Sequence, residues 1–232
     1  MEKGEKYSTP STQVIIAALN EEEGVGLTIA ELQEHLHSSR ILVVDGKSSD
    51  NTVHVAKSLG ADVIFQEGRG KGDAIGYALK HIDSEADYVV LIDADYTYPA
   101  GHVPQMIKVL EENPQVGMVC GNRFNSHFHL EGMGDVFYLG NRVLAVVHNA
   151  LNGVDLRDPL TGLRVVRAQI LDGWNPISKD FDIEVELNHY VERRGFSIVE
   201  VPIAYRQRLG EKKLKLRHGA LILKRIITES MY

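Results

Sequence analysis

The stretch Tyr88-Val89-Val90-Leu91-Ile92-Asp93-Ala94-Asp95 is an apolar run of strand length that ends in a pair of aspartates. A short run rich in Val, Leu and Ile predicts a strand that is buried on both faces of a sheet. Because side chains alternate along a strand, the two-residue spacing directs Asp93 and Asp95 to the same side. Ligands of open parallel sheets bind beyond the carboxyl ends of the strands, so this pair marks a candidate site.

Similar apolar runs lie on either side of this stretch, at residues 13–18, 41–45, 62–66 and 116–121. Segments with helical periodicity separate them, at residues 22–37, 51–59, 72–81 and 103–112. Ser49 or Asp50 is placed to cap the second of these helices. The alternation predicts an α/β fold with a mostly parallel central sheet flanked by helices on both faces.

The pattern changes after Gly121. A loop is predicted over 122–135, followed by a helix over 138–151, a strand near 163–167, a helix over 183–194 and a strand over 197–201. We therefore expect a flexible N-terminus at 1–12, one domain at 13–205 and a basic segment at 206–232. That last segment is expected to close on the active site or on a membrane surface.

Charge is distributed unevenly along the chain of 232 residues. Residues 206–232 contain eight Lys or Arg against Glu211 and Glu229, whereas the whole chain has a net charge of −7. A basic segment on an acidic body indicates an anionic partner, such as a phosphate or an acidic lipid, or simply a solvated terminus. Nucleic acid is disfavoured because the body is acidic and its basic residues are not interleaved with aromatic ones.

Compartment and membrane topology follow from two further features. Cys120 is the single cysteine, so an intramolecular disulfide is impossible and a reducing compartment such as the cytoplasm is favoured. The longest apolar runs are far shorter than the ~20 residues of a spanning helix. We expect a cytoplasmic protein, at the inner face of a membrane if it contacts one.

Asp93 and Asp95 together suit a hard cation. Two carboxylates held side by side repel unless a cation or protons compensate, and Mg²⁺ or Mn²⁺ accepts such ligands while retaining water and substrate phosphate oxygens. The alternative is that the two acids are solvated or cap the next helix. Their position beside a Gly/Lys loop favours the metal.

That loop, Gly68-Arg69-Gly70-Lys71-Gly72-Asp73, follows the third predicted strand. A dinucleotide fingerprint would follow the first strand, where Asn20-Glu21-Glu22-Glu23 would instead repel a pyrophosphate. A P-loop needs Ser or Thr after its lysine, but Lys71 precedes Gly72. The loop therefore either brings Lys71 near an anion or forms an ordinary tight turn.

Taken in order, the motifs resemble those of family-2 glycosyltransferases of the GT-A fold, a single Rossmann-like domain that binds nucleotide sugars. Within that family the chain is most similar to dolichol-phosphate mannose synthases and other polyprenyl-phosphate hexosyltransferases. The similarity spans about residues 13–219. The residues that carry it are Asn20-Glu21, residues 43–52, Gly70-Lys71-Gly72, Asp93-Ala94-Asp95, Gly121-Asn122-Arg123 and Thr161-Gly162-Leu163-Arg164.

The resemblance implies a role for each matching residue. The nucleotide sugar would be bound by Asn20, Glu21, Asp45, Lys71, Asp73, Asp93, Ala94, Arg208 and Lys213, with Mg²⁺ or Mn²⁺ on Asp93 and Asp95. Arg123 and Arg142 would face the acceptor phosphate. The catalytic set would be Asp95, Arg123, Asp158 and Arg164. Two positions depart from the family pattern: Thr97 stands where a metal-binding Gln is frequent, and Lys212 where Ser is common.

A phosphate acceptor agrees with elementary chemistry. A phosphate monoester is already largely ionised, since its second pKa is ≈ 6, and arginine fits it through paired donors. A hydroxyl acceptor would instead need a general base, for which Asp158 and Glu184 are candidates, although they are equally well explained as a turn residue and a helix-terminal residue.

Three hypotheses therefore remain in order of preference. The first is an inverting transferase that moves a hexose from GDP-mannose, UDP-glucose or a UDP-N-acetylhexosamine to dolichyl or polyprenyl phosphate, with peripheral contact to an anionic membrane. The second is a family-2 enzyme acting on a soluble sugar, glycan or protein hydroxyl. The third is a nucleotide-binding module without catalysis, disfavoured by the intact charged set. The sequence leaves the sugar, the nucleotide and any homo-oligomer open.

Overall fold

The computed structural model describes residues 10–37, 39–124 and 135–231. Its strands are β1 Thr12–Ala18, β2 Ser39–Asp45, β3 Asp62–Phe65, β4 Tyr88–Asp93, β5 Val116–Asn122, β6 Arg164–Arg167 and β7 Ser197–Pro202. Its helices are α1 Val25–His35, α2 Thr52–Ser58, α3 Lys71–Ala78, α4 Val103–Glu112, α5 Asp135–Asn152, α6 Ala168–Leu171, α7 Ile183–Arg193 and α8 Leu216–Glu229.

The strands form one sheet in the order β3-β2-β1-β4-β6-β5-β7. The pairs β1–β2, β1–β4, β2–β3 and β5–β7 are parallel, whereas β6 is antiparallel to both β4 and β5. The predicted α/β class with a mostly parallel sheet is confirmed. The antiparallel direction of β6 was not predicted. Regular alternation of strands and helices implies parallel strands, and this alternation ends after Gly121.

The two faces of the sheet bury alternate residues of the same strands. Val14, Ile16 and Val90 belong to one core cluster, together with residues of α1, α2 and α4. Ile15 and Val89 belong to the other, together with residues of α3, α6 and α7. This period of two within continuous apolar runs is what a sheet covered on both faces requires.

The basic C-terminal segment contains a helix that the sequence analysis did not predict. Ile222 and Ile226, one helical turn apart on α8, are buried and form a small cluster with Leu144 and Val147 of α5. The prediction for this segment used only its positive charge, although its apolar residues already had helical spacing. In the described parts of the chain, no helix is long and apolar enough to cross a membrane.

Three predicted features lie wholly or partly outside the described residues: the N-terminal segment 1–9, the loop 125–134 and Tyr232. The predicted helix over 138–151 is confirmed, but it begins earlier, at Asp135. The N-cap residue of α2 is Asn51, not Ser49 or Asp50 as predicted, although the carboxylate of Asp50 accepts a hydrogen bond from the backbone N–H of Thr52 at 3.0 Å.

Candidate active site

Polar side chains collect where β1, β2 and β4 end. Ala18 of β1 is paired with Asp45 of β2, and Ala17 is paired with Asp93 of β4. The two aspartates therefore flank the end of β1 at the carboxyl edge of the sheet. This is the edge at which ligands of such sheets bind.

Lys71 forms the centre of a buried ion triad at this edge. Its Nζ lies 2.5 Å from Oδ1 of Asp93 and 2.7 Å from Oε1 of Glu184. Burial alone would lower the pKa of Lys71, but the two carboxylates raise it above its usual value. Gly70 precedes Lys71 with φ +89°, and a Cβ there would overlap the backbone carbonyl of Lys179. The glycine loop thus packs tightly and delivers an ammonium to Asp93.

Arg208 forms a second ion cluster with Asp95 and Glu21. Nη1 of Arg208 donates to Oδ2 of Asp95 at 2.6 Å, and Nη2 donates to Oε1 of Glu21. Nζ of Lys213 lies 3.1 Å from the same Glu21 oxygen and donates to the carbonyl of Asn20 at 2.6 Å. Arg208 and Lys213 of the basic segment therefore contact side chains at the ends of β1 and β4, and closure of the whole segment over the site stays a prediction.

Several polar atoms of this cluster lack partners. Burial raises the pKa of Glu21 above its usual value, against the influence of Arg208 and Lys213. Burial and the neighbouring Asp93 likewise raise the pKa of Asp95. Among the residues that the structure describes, the buried Oε2 of Glu21 and Nε of Arg208 have no hydrogen-bond partner. Because such atoms are costly to leave unpaired, the cluster fits a further polar ligand.

The residues fit a divalent cation only if a ligand completes its coordination. In the described ranges, no group of three or more acidic, His or Cys side chains could hold a metal. Asp93 and Asp95 supply hard oxygens, and Mg²⁺ is commonly bound by one or two carboxylates together with substrate phosphates and water. One oxygen of Asp95 is held by Thr97 at 2.6 Å and the other by Arg208. A metal would therefore compete with Arg208 for Asp95.

A third charge cluster is built around Arg123 and lies beyond the end of β5. Its Nε and Nη2 each donate to Asp158 at 2.7 Å, and both residues are buried. Burial would lower the pKa of Arg123, but Asp158 raises it well above the usual value. Glu200 of β7 accepts hydrogen bonds from the backbone N–H groups of Arg157 and Asp158. Asp158 is therefore committed to Arg123, which speaks against its use as a free general base.

Aromatic rings surround the exposed side of this cluster. The guanidinium of Arg123 lies 5.3 Å from the ring centroid of Tyr205 and 5.5 Å from that of Phe124. The exposed Arg142 of α5 lies 5.9 Å from the same Phe124 ring. Arg123 and Arg142 therefore both lie against the ring of Phe124, and their predicted contact with an acceptor phosphate stays a prediction.

Arg164 is a buried residue that holds one of the loops at the site in place. It is 1% exposed, and its guanidinium donates to the carbonyls of Pro159 and Thr161 and to Asn188. These bonds hold the loop that contains Gly162, where a Cβ would overlap the carboxylate of Asp93. Arg164 therefore fixes the loop beside Asp93, and it lines the same cavity as Lys71 and Glu184.

The remaining predicted residues make local contacts. Both carboxylate oxygens of the buried Asp45 accept bonds from Ser48, at 2.8 and 2.6 Å. Oδ2 of Asp73 accepts the N–H of Gly68 at 2.9 Å, which closes the glycine loop. Ala94 is buried, and its carbonyl accepts the hydroxyl of Thr28. Their predicted contacts with a nucleotide stay predictions.

Sequence reasoning missed three side chains at the site. The hydroxyl of Tyr98 accepts the N–H of Gly162 at 2.7 Å, and its ring packs edge-on against Tyr205. Glu200 holds the backbone before and at Asp158. Tyr98 follows the Asp93-Ala94-Asp95 motif closely enough to be suspected, but Glu200 and Tyr205 reach the site only through the tertiary fold.

Comparison with known proteins gives a consistent result. Residues 13–138 match the family model described as glycosyl transferase family 2. A Haloferax volcanii protein named dolichyl-phosphate hexose transferase is 31% identical over 96% of this chain and 95% of its own length. Glycosyltransferase AglJ from the same organism is 32% identical over 85% of this chain but only 64% of its own length.

The fold is also found among solved structures. Glucosyl-3-phosphoglycerate synthase from Mycobacterium tuberculosis, crystallised with Mn²⁺, UDP-glucose and phosphoglyceric acid, matches with a TM-score of 0.76 at 21% identity. The match covers 96% of this chain and 80% of that one. At this level of identity the comparison establishes the shared fold alone.

Proposed function

Because the chain belongs to glycosyltransferase family 2, we propose that it moves a hexose from a nucleotide sugar to a polyprenyl or dolichyl phosphate. The observation that carries this proposal is the set of three cations, Lys71, Arg208 and Lys213, on the carboxylates at the ends of β1 and β4. These cations come from two segments distant in sequence, the start of α3 and the loop between β7 and α8, and such a group of cations suits the binding of a diphosphate.

The donor half of the site is the part around the ends of β1 and β4, where the nucleotide sugar would bind. Its cationic side chains and its carboxylates would act on the same ligand. Lys71, Arg208 and Lys213 would donate to diphosphate oxygens, while Asp93 and Asp95 would hold Mg²⁺ or Mn²⁺. When bound, that cation would stabilise the negative charge of the leaving diphosphate. The unpaired Oε2 of Glu21 is suited to accept a hydrogen bond from the base or ribose. Asn20, Asp45, Asp73 and Ala94 would line the nucleoside side.

The acceptor half supports attack by a phosphate oxygen. That oxygen would form the new bond to the anomeric carbon as the bond to the diphosphate breaks, and the electron pair would leave with the diphosphate. A single displacement of this kind inverts the anomeric centre. Since the acceptor is already ionised, no side chain has to remove a proton, which agrees with the pairing of Asp158 to Arg123. Arg123 and Arg142 would orient the acceptor phosphate.

Peripheral membrane contact is supported by an exposed apolar face on α5. Val136, Leu139, Val143 and Val146 are each more than half exposed and recur at helical spacing along one side. Leu216 and Ile227 are exposed on the adjoining α8. Contiguous exposed apolar surface marks an interaction site, and an amphipathic helix of this kind lies in a membrane interface. Basic residues of the 206–232 segment would favour an anionic, cytoplasmic leaflet.

A transfer assay tests the reaction. The purified chain, Mn²⁺ and each of UDP-glucose, UDP-N-acetylglucosamine and GDP-mannose are incubated with a short polyprenyl phosphate, and the lipid product is measured by mass spectrometry. We expect one donor to give a hexosyl phosphodiester with inverted configuration, and EDTA to abolish it. Transfer to a free sugar or peptide hydroxyl with every polyprenyl phosphate unmodified would refute the lipid acceptor and leave the donor assignment intact.

A flotation assay tests the membrane contact separately. The chain should float with vesicles rich in anionic lipid and be released by high salt. Leu139→Gln together with Val143→Gln should reduce flotation several-fold, because polar groups replace apolar ones at the interface. Leu27→Gln on α1 is the matched control, since Leu27 is also exposed but lies on a different helix. Equal flotation of all three proteins would rule out the α5 face.

A further inference from the structure

Two cations near the site lie against aromatic rings without an acidic partner among the described residues. Nζ of Lys212 lies 3.1 Å from the ring centroid of Phe137, and Arg142 lies over Phe124. By contrast, Lys71, Arg123 and Arg208 each have a carboxylate within hydrogen-bonding distance. Within the described residues, Lys212 and Arg142 form no salt bridge.

Charges from both halves of the site influence Lys212. Burial, followed by the charges of Arg208 and Arg123, lowers the pKa of Lys212 below its usual value. Arg208 belongs to the donor half and Arg123 to the acceptor half, so both halves act on one ammonium. Arg208 and Arg123 already have carboxylate partners, so Lys212 is the ammonium among the three whose charge a bound anion would neutralise. The contact with Phe137 offsets part of the repulsion from the two guanidinium groups.

The surroundings of Lys212 indicate which anion belongs there. Phe137 lies on the first turns of α5, between Val136 and Leu139 of the exposed apolar face. An anion bound at Lys212 would therefore lie where that apolar surface reaches the active site. A phosphate monoester with an isoprenoid tail matches both features, because its head group is anionic and its tail is apolar.

From this arrangement we infer that Lys212 is a ligand of the acceptor phosphate, binding its doubly charged form between the donor and acceptor halves of the site. The inference rests on the proposed function, which it extends by one specificity-determining residue. The displacement requires an anionic nucleophile to approach an anionic diphosphate. An ammonium between them reduces their repulsion, and Lys212 keeps its proton throughout the step.

The experiment compares three variants with the wild-type chain. Lys212→Met removes the charge while keeping a long side chain, Lys212→Arg keeps the charge, and Lys108→Met removes an exposed ammonium from α4. Binding of geranyl phosphate is measured by calorimetry, and KM is measured for the nucleotide sugar and for geranyl phosphate. Loss of one charged hydrogen bond corresponds to roughly 10–100-fold in affinity.

We expect Lys212→Met to weaken geranyl phosphate binding and raise the acceptor KM by that factor, with the donor KM unchanged. Lys212→Arg should recover most of the loss, and Lys108→Met should match wild type. The methyl diester of geranyl phosphate carries one charge fewer. Wild type should bind the monoester more tightly than this diester, and Lys212→Met should lose most of that preference.

The outcomes that overturn the inference are distinct from those that overturn the function. If wild type transfers sugar to geranyl phosphate but Lys212→Met binds the acceptor equally well, Lys212 is not its ligand. An equal loss of donor and acceptor affinity would place Lys212 on the diphosphate instead. If wild-type protein neither binds nor modifies geranyl phosphate, the proposed function fails together with the inference.

Discussion

The donor and acceptor halves of the site neutralise charge in different ways. In the donor half, Asp95 and Glu21 are paired with Arg208, which belongs to a loop that follows the last strand. In the acceptor half, Asp158 is completely buried, and its pairing with Arg123 is reinforced by the backbone N–H of Arg123 at 3.0 Å. The first arrangement leaves polar atoms unpaired, whereas the second satisfies both oxygens of Asp158.

This difference indicates which charges are available to a ligand. In a partly unsatisfied ion pair, a ligand can take the place of one partner at little cost in free energy, because the remaining charge is neutralised by the diphosphate or by the cation. A buried pair with full hydrogen bonding is part of the framework, because removing one partner strands the other charge away from water. The donor cluster is therefore suited to exchanging its partners for a ligand, whereas Asp158 holds Arg123 in one fixed position, from which it would orient the acceptor phosphate.

The strongest test of this comparison is Asp158→Ala. We expect a loss of about 3–5 kcal/mol in the free energy of unfolding, because Arg123 would remain buried and uncompensated. Urea denaturation followed by circular dichroism gives the value. The double variant Arg123→Met with Asp158→Leu should recover much of the loss, since an apolar pair of similar volume leaves no stranded charge. A single variant as stable as wild type would contradict the framework role.

Acidification should weaken the acceptor half further, through a pair of buried histidines. Burial, together with His189 and Arg164, lowers the pKa of His148 to about 4, and burial with Arg193 lowers that of His189 to about 4. In the unfolded chain both titrate near 6.5. Between these values only the unfolded chain binds the protons, so stability falls as the pH falls below about 6.5.

At pH 5 the expected loss is about 2 kcal/mol for each of these histidines. Urea denaturation at pH 7 and pH 5 measures it. His148→Gln should reduce the acid sensitivity, while His54→Gln, at an exposed position of α2, should leave it unchanged. Identical pH dependence in wild type and His148→Gln would show that His148 titrates normally in the folded chain.

A change in the donor half should affect binding more than stability. Asp95→Asn should weaken nucleotide binding by roughly 10–100-fold when Mn²⁺ is present and leave the metal-free affinity nearly unchanged. Its stability should stay close to that of wild type, because burial and Asp93 already disfavour the charge of Asp95. Calorimetric titration with UDP and GDP, with and without EDTA, measures this. If both proteins bind the nucleotide equally well with and without metal, Asp95 is not a metal ligand.

The smallest effect is expected at an ion pair that is exposed. Arg40 and Asp62 form an ion pair at 2.8 Å between the beginnings of β2 and β3, and their side chains are 56% and 54% exposed. Asp62→Asn should change the free energy of unfolding by less than about 1 kcal/mol. Its urea denaturation curve provides the lower end of the comparison. If Asp62→Asn lowers the free energy of unfolding as much as Asp158→Ala does, then the energy of an ion pair in this protein depends on the pairing itself and not on its burial.

Local sequence was sufficient for the first half of the fold and for the site residues that this half contributes, but not for Arg208 and Lys213, which follow the last strand. Each strand of that first half is followed by its helix, so the apolar period gives both the element and its direction. The candidate residues Glu21 and Lys71 follow the ends of β1 and β3, and the pair Asp93 and Asp95 lies at the end of β4. Their convergence could be predicted because parallel strands bring their carboxyl ends to one edge.

The second half depends on contacts that are distant in sequence. The antiparallel strand β6 has a period like that of any short strand, and its position between β4 and β5 is set by tertiary pairing. Arg123 was predicted as a phosphate ligand from a motif, but its partner Asp158 lies 35 residues away. Nothing local to Arg123 indicates that pairing, nor the help that Glu200 gives from β7.

The position of β6 also affects how the chain is made. Synthesis proceeds at about 5–20 residues per second, so β4 is complete for several seconds before its neighbour β6 emerges from the ribosome. During that interval one edge of an almost wholly apolar strand, Tyr88–Asp93, has no partner to hydrogen-bond. Such edges promote aggregation, and long-range pairing is slow. Nascent chains of this protein are therefore most vulnerable after β4 is made and before Arg164–Arg167 reaches the sheet.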